Sequence, residues 1–306
     1  MKKQPTNLAE SIRQKLLNGA KQRQEDPQFI LQRYAQERFL YRLGKSTHRD
    51  KFVLKGAMLF AMWGGSLYRP TKDLDFTGYG SSEEAAVLDR LREICMLDGG
   101  GDGIEFDAAS LRTEPIREDV EYGGIRILFV GRLGKHEVKM QIDVGFGNAI
   151  EPGARESDYP ALLDAPAPSI RAYPQEAVVA EKLHAMVMKG EINSRYKDFY
   201  DVYVLASGFA FDGAVLTRSI AATFERRKTA FGDDVPVALT SRFFAAAARA
   251  AQWRAYVQRN KLPGAPSDFD RVGELLLLFL APPYEALRGV SEFQLAWAPL
   301  GPWRET

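Results

Sequence analysis

The apolar positions change period along the chain, and the change divides it. Residues 1 to 48 are rich in charge and predict two helices, the second carrying Phe29, Ile30, Tyr34, Phe39 and Leu40 to pack on a core. Phe52-Val53-Leu54 reads as a short apolar strand, Lys55-Gly56 as a tight turn, and Ala57 to Trp63 as a helix. The loop Gly64 to Pro70, which includes Gly65, Ser66, Leu67 and Tyr68, returns the chain to a sheet. Alternation begins at Thr71-Lys72-Asp73-Leu74-Asp75-Phe76. On a strand, Leu74 and Phe76 face a core, while Asp73 and Asp75 share the opposite side with Thr71. Alternation returns in Glu137–Phe146, where Val138, Met140, Ile142 and Val144 line one face and Asp143 lies opposite with Glu137, Lys139 and Gln141. Between these strands the pattern predicts a helix around Ser82 to Met96 and a flexible glycine loop, Gly99 to Gly103. It also predicts a hairpin of Leu111–Pro115 with Ile125–Val130 turning at Gly123-Gly124.

Beyond residue 150 the reading changes. Residues 151 to 173 are rich in Pro, Ala and Asp and suit a connection between lobes. From 174 onward the pattern is nearly all helical. Ala177, Val178, Ala180, Leu183, Ala185, Met186 and Val187 form a stripe over Gln175 to Lys189, with Pro174 suited to the first turn. Leu275 to Leu280 reads as a short core segment, and Trp297 to Trp303 as an irregular tail that packs back.

Composition sets bounds. A chain of 306 residues forms one large domain or two joined lobes, and a net charge of +1 argues against a uniformly basic nucleic-acid binder. Charge is uneven: Asp212 to Leu262 holds nine Lys/Arg against four acids, interleaved with Phe243, Phe244, Trp253 and Tyr256. That segment reads either as a surface for RNA phosphates and stacked bases or as an alanine-rich packing helix with arginines on its wet face. Cys95 is the single cysteine, which excludes an internal disulfide and fits a reducing, cytoplasmic setting. No signal peptide and no membrane-length apolar run are evident.

The candidate chemistry centres on Asp73 and Asp75. Two carboxylates this close repel unless a cation sits between them, and a divalent metal is the usual solution; a solvated turn is the plainer reading. Lys55, Gly56 and Ala57, between a strand and a helix N-terminus, describe a phosphate cradle, glycine letting backbone approach without a Cβ. If the Asp143 strand neighbours the Asp73 strand, three carboxylates converge, enough for two Mg²⁺ ions. Lys182 lies among apolar positions, either meeting an anion or snorkelling to water. Asp198 and Asp201 share a helix face with Arg195 a turn earlier, a spacing that also suits ordinary ion pairs. His184 reads as a packed helix residue.

Taken together, Tyr34 to Leu43, Lys51 to Ala57, Arg69 to Asp75, Pro174-Gln175-Glu176, Ala180 to Ala185 and Arg195 to Asp201 resemble, in order, the AbiEii/AbiGii nucleotidyltransferase toxins, with which the mycobacterial MenT toxins belong. The resemblance covers about residue 30 to residue 205. It implies an α+β fold with a polymerase-β-like nucleotidyltransferase core, a mixed sheet with flanking helices, and an α-helical C-terminal lobe. The expected division is 1–48 for N-terminal helices, 49–165 for the core and 166–306 for the helical lobe. It further implies NMP transfer from a nucleoside triphosphate to a tRNA 3′ end, blocking translation and growth in a toxin–antitoxin or phage-defence setting. Two Mg²⁺ ions, with Mn²⁺ as substitute, are expected on Asp73, Asp75 and Asp143. Lys55, Gly56, Ala57, Thr71, Lys182 and Arg195 are expected at the nucleotide, with Asp198 supporting catalysis or orienting Lys182. The expected partner is a cognate antitoxin, AbiEi-like or MenA-like. Some relatives are silenced by phosphorylation at the position of Thr71, although strand propensity alone also accounts for a threonine there. Where the wider superfamily carries Gly-Gly or Gly-Ser, this chain has Gly56-Ala57, leaving backbone donors for the cradle.

Three other readings share parts of this pattern. A GT-A glycosyltransferase uses Asp-X-Asp with a metal but normally has a doubly wound lobe before it. An aminoglycoside-type adenylyltransferase acts on a small cationic acceptor. A non-catalytic NTP-binding regulator would keep the fold without transfer.

Overall fold

The computed structural model describes residues 6–64, 69–115, 124–232 and 234–305. The chain forms two compact units: residues 1–147 with 155–172, and residues 148–154 with 173–306. The expected loop at Gly65–Tyr68 and the turn residue Gly123 lie outside the described residues.

The first unit opens with helices α1 (Thr6–Arg23) and α2 (Pro27–Lys45). Asp26 caps α2 by accepting from the Gln28 N–H, and Pro27 occupies the first turn, where its missing donor costs nothing. Strand β1 (Phe52–Lys55) runs through a single 3₁₀ turn, Gly56–Met58, into the short helix α3 (Leu59–Gly64). Strand β2 (Asp73–Gly78), helix α4 (Glu84–Met96) and strands β3 (Ile104–Pro115), β4 (Ile125–Leu133) and β5 (His136–Phe146) follow. Strands β6 (Arg155–Asp158) and β7 (Ser169–Ala172) complete the sheet. Residues 151 to 173 are therefore not a plain connection, because most of them return to pair with the first unit.

Among the described residues the sheet has seven strands in the order β3-β4-β5-β2-β1-β7-β6. It is mixed: β2 runs parallel to β5 and antiparallel to β1. The period-2 pattern decides its faces. Leu74, Phe76, Val138, Met140, Ile142, Val144, Ile127 and Phe129 are all buried, and Phe39 of α2 packs its ring against Phe106 and Phe129. Burying each such side chain stabilises the fold by about 1.5–3 kcal/mol, so a one-residue slip of β2 or β5 is prohibitive.

The glycine run at 99 to 103 is pinned rather than flexible. Arg42 donates to both carboxylate oxygens of Asp102, and both side chains are almost wholly buried. A Cβ on Gly99 would lie 2.3 Å from that pair, so the loop is closed over a buried charge pair. A second buried pair, Glu37 with Arg38, holds residues 159–168: Glu37 accepts from the Leu162 N–H and Arg38 donates to the Pro166 carbonyl.

The second unit contains helices α5 (Gln175–Lys189), α6 (Tyr196–Gly208), α7 (Gly213–Arg226), α8 (Ser241–Ala245), α9 (Ala247–Asn260) and α10 (Phe269–Arg288). Strand β8 (Phe211–Asp212) pairs with β9 (Leu295–Trp297), which pairs with β10 (Trp303–Glu305). The tail Trp297–Trp303 packs back and is irregular over residues 298–302, with β9 and β10 at its two ends, Trp297 buried and its indole N–H donating to the Ala206 carbonyl. The Leu275–Leu280 segment belongs to a 20-residue helix that continues through Pro282 and Pro283. Among the described residues no helix is long and apolar enough to cross a membrane.

Candidate active site

Strand register builds the site of the first unit. Asp73 and Asp75 stand on one side of β2, half-buried, while Leu74 and Phe76 point into the core. Asp75 pairs laterally with Asp143 of β5 and with Lys55 of β1, and Arg126 of β4 lies opposite Asp143. Cross-strand partners present their side chains to the same face. Four adjacent strands therefore carry a row Arg126, Asp143, Asp75, Lys55, with Asp73 and Gln141 one step along. The convergence of three acid-bearing strand positions, left open by the sequence, is present.

Gly56 fits this row closely. Its φ is +75°, a left-handed conformation that glycine adopts without strain, and an added Cβ would lie 2.2 Å from Asp75 Oδ2. Any side chain at 56 would occupy the space of the carboxylate. The turn after it is a 3₁₀ turn leading to a six-residue helix, shorter than the helix expected, so backbone N–H groups rather than a long helix dipole are what it offers a phosphate. Lys55 reaches across the row: its Nζ would be 3.7 Å from a Cβ on Gly145 of β5.

Arg126 is the residue the sequence reading missed. Its Nε donates to Asp143 Oδ1 at 2.8 Å and its Nη2 to Oδ2 at 2.7 Å, a bidentate pair. The hydrogen bonds to Asp143 raise the pKa of Arg126 further, partial burial opposes the rise, and the charges of Asp143, Asp73 and Asp75 add to it. The guanidinium thus feels all three carboxylates. A signal for it exists: a two-residue turn at Gly134 and Lys135 places Leu133 opposite His136, which fixes Arg126 opposite Asp143.

The donor set fits a magnesium ion in kind, since carboxylate oxygens are the hard ligands it takes. As placed, however, no group of three or more His, Cys, Asp or Glu side chains among the described residues is gathered for a metal, and Asp143 is engaged with Arg126.

Thr71 departs from expectation. The strand begins at Asp73, so strand parity does not govern it; Thr71 is nearly buried and its hydroxyl donates to the Asp73 carbonyl at 3.4 Å.

The second unit gathers the other named residues. Lys182 Nζ lies 2.8 Å from Asp198 Oδ1 and 2.7 Å from Asp201 Oδ2, and Arg195 Nε lies 2.7 Å from Asp198 Oδ2. Lys182 therefore meets anions inside the protein instead of snorkelling. Burial alone would raise the pKa of Asp198, but Lys182 and Arg195 outweigh it and hold the carboxyl down at about 2. His184 is packed edge-on against Phe224 and hydrogen-bonded to Thr229 and Arg227, as a core histidine. Phe243, Phe244 and Trp253 are buried, Trp253 stacking on Phe269, so these rings cannot stack bases. Of the two readings of that segment, the packing helix accounts for these three rings, while Tyr256 is half-buried.

The family model described as "Nucleotidyl transferase AbiEii toxin, Type IV TA system" matches residues 38–274, running well beyond the stretch the sequence motifs covered. No curated protein matches the chain. Two solved structures are similar: a candidate nucleotidyltransferase from H. pylori (14% identity, 88% of this chain and 100% of that one, TM-score 0.51) and JHP933 from Helicobacter pylori (14% identity, 87% and 95%, TM-score 0.50). At that identity they bear on the fold alone. With the family model spanning most of its length, the chain belongs to the AbiEii nucleotidyltransferase toxin family of type IV toxin–antitoxin systems.

Proposed function

We propose that this enzyme transfers NMP from a nucleoside triphosphate to the 3′ end of tRNA in the cytoplasm, arresting translation until a cognate antitoxin, AbiEi-like or MenA-like, counters it. A phage-defence role follows from the same activity. The observation that carries the reading is the charged row on the sheet, in which Asp75 and Asp143 are lateral neighbours and Asp75 closes over the Gly56 turn.

In this reading Asp73 and Asp75 would hold divalent metal, two Mg²⁺ ions with Mn²⁺ able to replace them, and Asp143 would complete the set. The bound ions would lower the pKa of the attacking hydroxyl and offset charge on the α-phosphate. The chain does the positioning. The N–H groups of the Gly56-Ala57 turn and the ammonium of Lys55 would receive the β- and γ-phosphates. A bond forms from the acceptor hydroxyl oxygen to the α-phosphorus as the α–β bridge breaks, and pyrophosphate leaves. Such catalysis is largely placement and electrostatics. On the second unit, the charge of Lys182 is already balanced by two aspartates. Asp198 pairs with both Lys182 and Arg195, which this reading keeps as that unit's candidates for nucleotide phosphate.

Phosphorylation of Thr71 by the antitoxin would add about −1.5 to −2 charge beside the acids and repel a triphosphate. Mass spectrometry of protein coexpressed with its neighbouring antitoxin tests this, and an unmodified Thr71 in a neutralised sample defeats it.

The deciding experiment offers each α-labelled NTP with total tRNA, and separately with small cationic acceptors. Label on tRNA supports the reading. Label on the small acceptors alone replaces it with an aminoglycoside-type activity, and tight Mg-NTP binding without transfer replaces it with a regulator.

A further inference from the structure

We infer that Arg126 is a built-in counter-cation that occupies Asp143 in the metal-free protein, so that Asp143 becomes a ligand only when the Arg126–Asp143 pair opens. The inference rests on the metal reading of Asp73 and Asp75 above and adds a gate to it.

The argument begins with acceptor capacity. A carboxylate offers about four lone-pair positions. Asp143 Oδ1 receives Arg126 Nε at 2.8 Å and Gln141 Nε2 at 3.3 Å, while Oδ2 receives Arg126 Nη2 at 2.7 Å and Gln141 Nε2 at 3.4 Å. Both oxygens are engaged from the side of β4, and Gln141 Nε2 shares itself between them from along β5, so a cation approaching from β2 meets a carboxylate whose charge Arg126 already offsets. Three acid-bearing strand positions converge, yet as placed no such group is gathered for a metal among the described residues.

The pair also has a purpose when no metal is bound. Asp75 and Asp143 are cross-strand neighbours, and like charges so placed destabilise a sheet. A guanidinium on the far side of Asp143 offsets that repulsion. The pair is built to open, because the Arg126 side chain is 33% exposed and Asp143 16%, so both can return to water. One cation is exchanged for another, with Gln141 left as a neutral donor to steady the carboxylate.

The test titrates Mn²⁺ alone, without nucleotide, into wild type, Arg126→Gln, Asp143→Asn and the double variant, following free Mn²⁺ by electron paramagnetic resonance. Thermal melts of each metal-free protein show that it is folded. The inference predicts that Arg126→Gln tightens Mn²⁺ binding by about tenfold or more, melts lower without metal and regains more of its melting temperature with it than wild type does. In the Asp143→Asn background the same change should move affinity by no more than about twofold to threefold, since there is no pair to open. Equal effects in both backgrounds would reduce Arg126 to a distant charge and overturn the gate, as would unchanged affinity in Arg126→Gln. If wild type binds no Mn²⁺, or Asp73→Asn binds it as well as wild type, the metal reading itself fails, an outcome separable from failure of the gate.

Discussion

The two units hold nearly the same set of charges in opposite surroundings. On the sheet, Lys55 and Arg126 flank Asp75 and Asp143, all of them reached by solvent in part. In the second unit, Lys182 and Arg195 face Asp198 and Asp201, whose side chains are 3% and 1% exposed. Composition alone does not separate the clusters; water does. A half-wet ion pair contributes little to stability and exchanges partners readily. A sealed pair is costly to break, because removing one partner strands an unbalanced charge in a medium that cannot solvate it. The comparison assigns exchange chemistry to the row on the sheet and rigidity to Lys182 with its aspartates.

Several substitutions would break or sharpen that contrast. Asp73→Asn should lower nucleotide transfer by about a thousandfold or more, with the thermal melt unchanged; labelled-NTP transfer beside a melting curve reads both. Lys182→Met should do the reverse in kind, costing about 3–5 kcal/mol of stability in a denaturant titration by removing the cation that two buried carboxylates share. Should Lys182→Met stay as stable as wild type while losing transfer, the division between the units is wrong. Gly56→Ala forces a side chain into the left-handed region and against Asp75, so a loss of about 1–3 kcal/mol is expected together with loss of transfer.

The pH dependence is smaller and has a definite sign. The Asp198 carboxyl is held at about 2 from a usual 3.8. Its contribution, roughly 2 kcal/mol, is fully present above the unfolded value and is lost as pH falls from about 4 toward 2. Asp198→Asn should flatten the stability–pH curve in that window. A curve of wild-type slope would show that Asp198 is not the titrating group. Smallest of all, Glu137→Gln on the rim of β5 removes an exposed pair with Arg132 and should leave the thermal melt unchanged.

Much of the first unit was legible because its strands obey period 2: Leu74, Phe76, Met140 and Ile142 had to share a face, which put Asp73, Asp75 and Asp143 on the other. The two leading helices and the Gly56 turn followed from equally local signals, while the α+β class came from the family resemblance. What escaped reading was long-range. Asp102 was hidden in a glycine run because nothing local announces Arg42, whose burial makes the loop rigid. Residues 155–172 resemble a connection in composition, yet they complete the sheet through pairing with β1. Leu275 to Leu280 read as a short core segment, yet α10 runs on through Pro282 and Pro283, its buried Phe279, Leu280 and Tyr284 packing in the unit's core. Arg126 was legible in principle from the Gly134-Lys135 turn, which sets the register of β4 on β5.

The central claim is that the acid row on the sheet performs nucleotidyl transfer. Its most direct test incubates α-labelled NTPs and total tRNA with wild type and with folded Asp73→Asn. The account predicts label at the tRNA 3′ end for wild type and essentially none for the variant; a folded variant that transfers label as fast as wild type would contradict it.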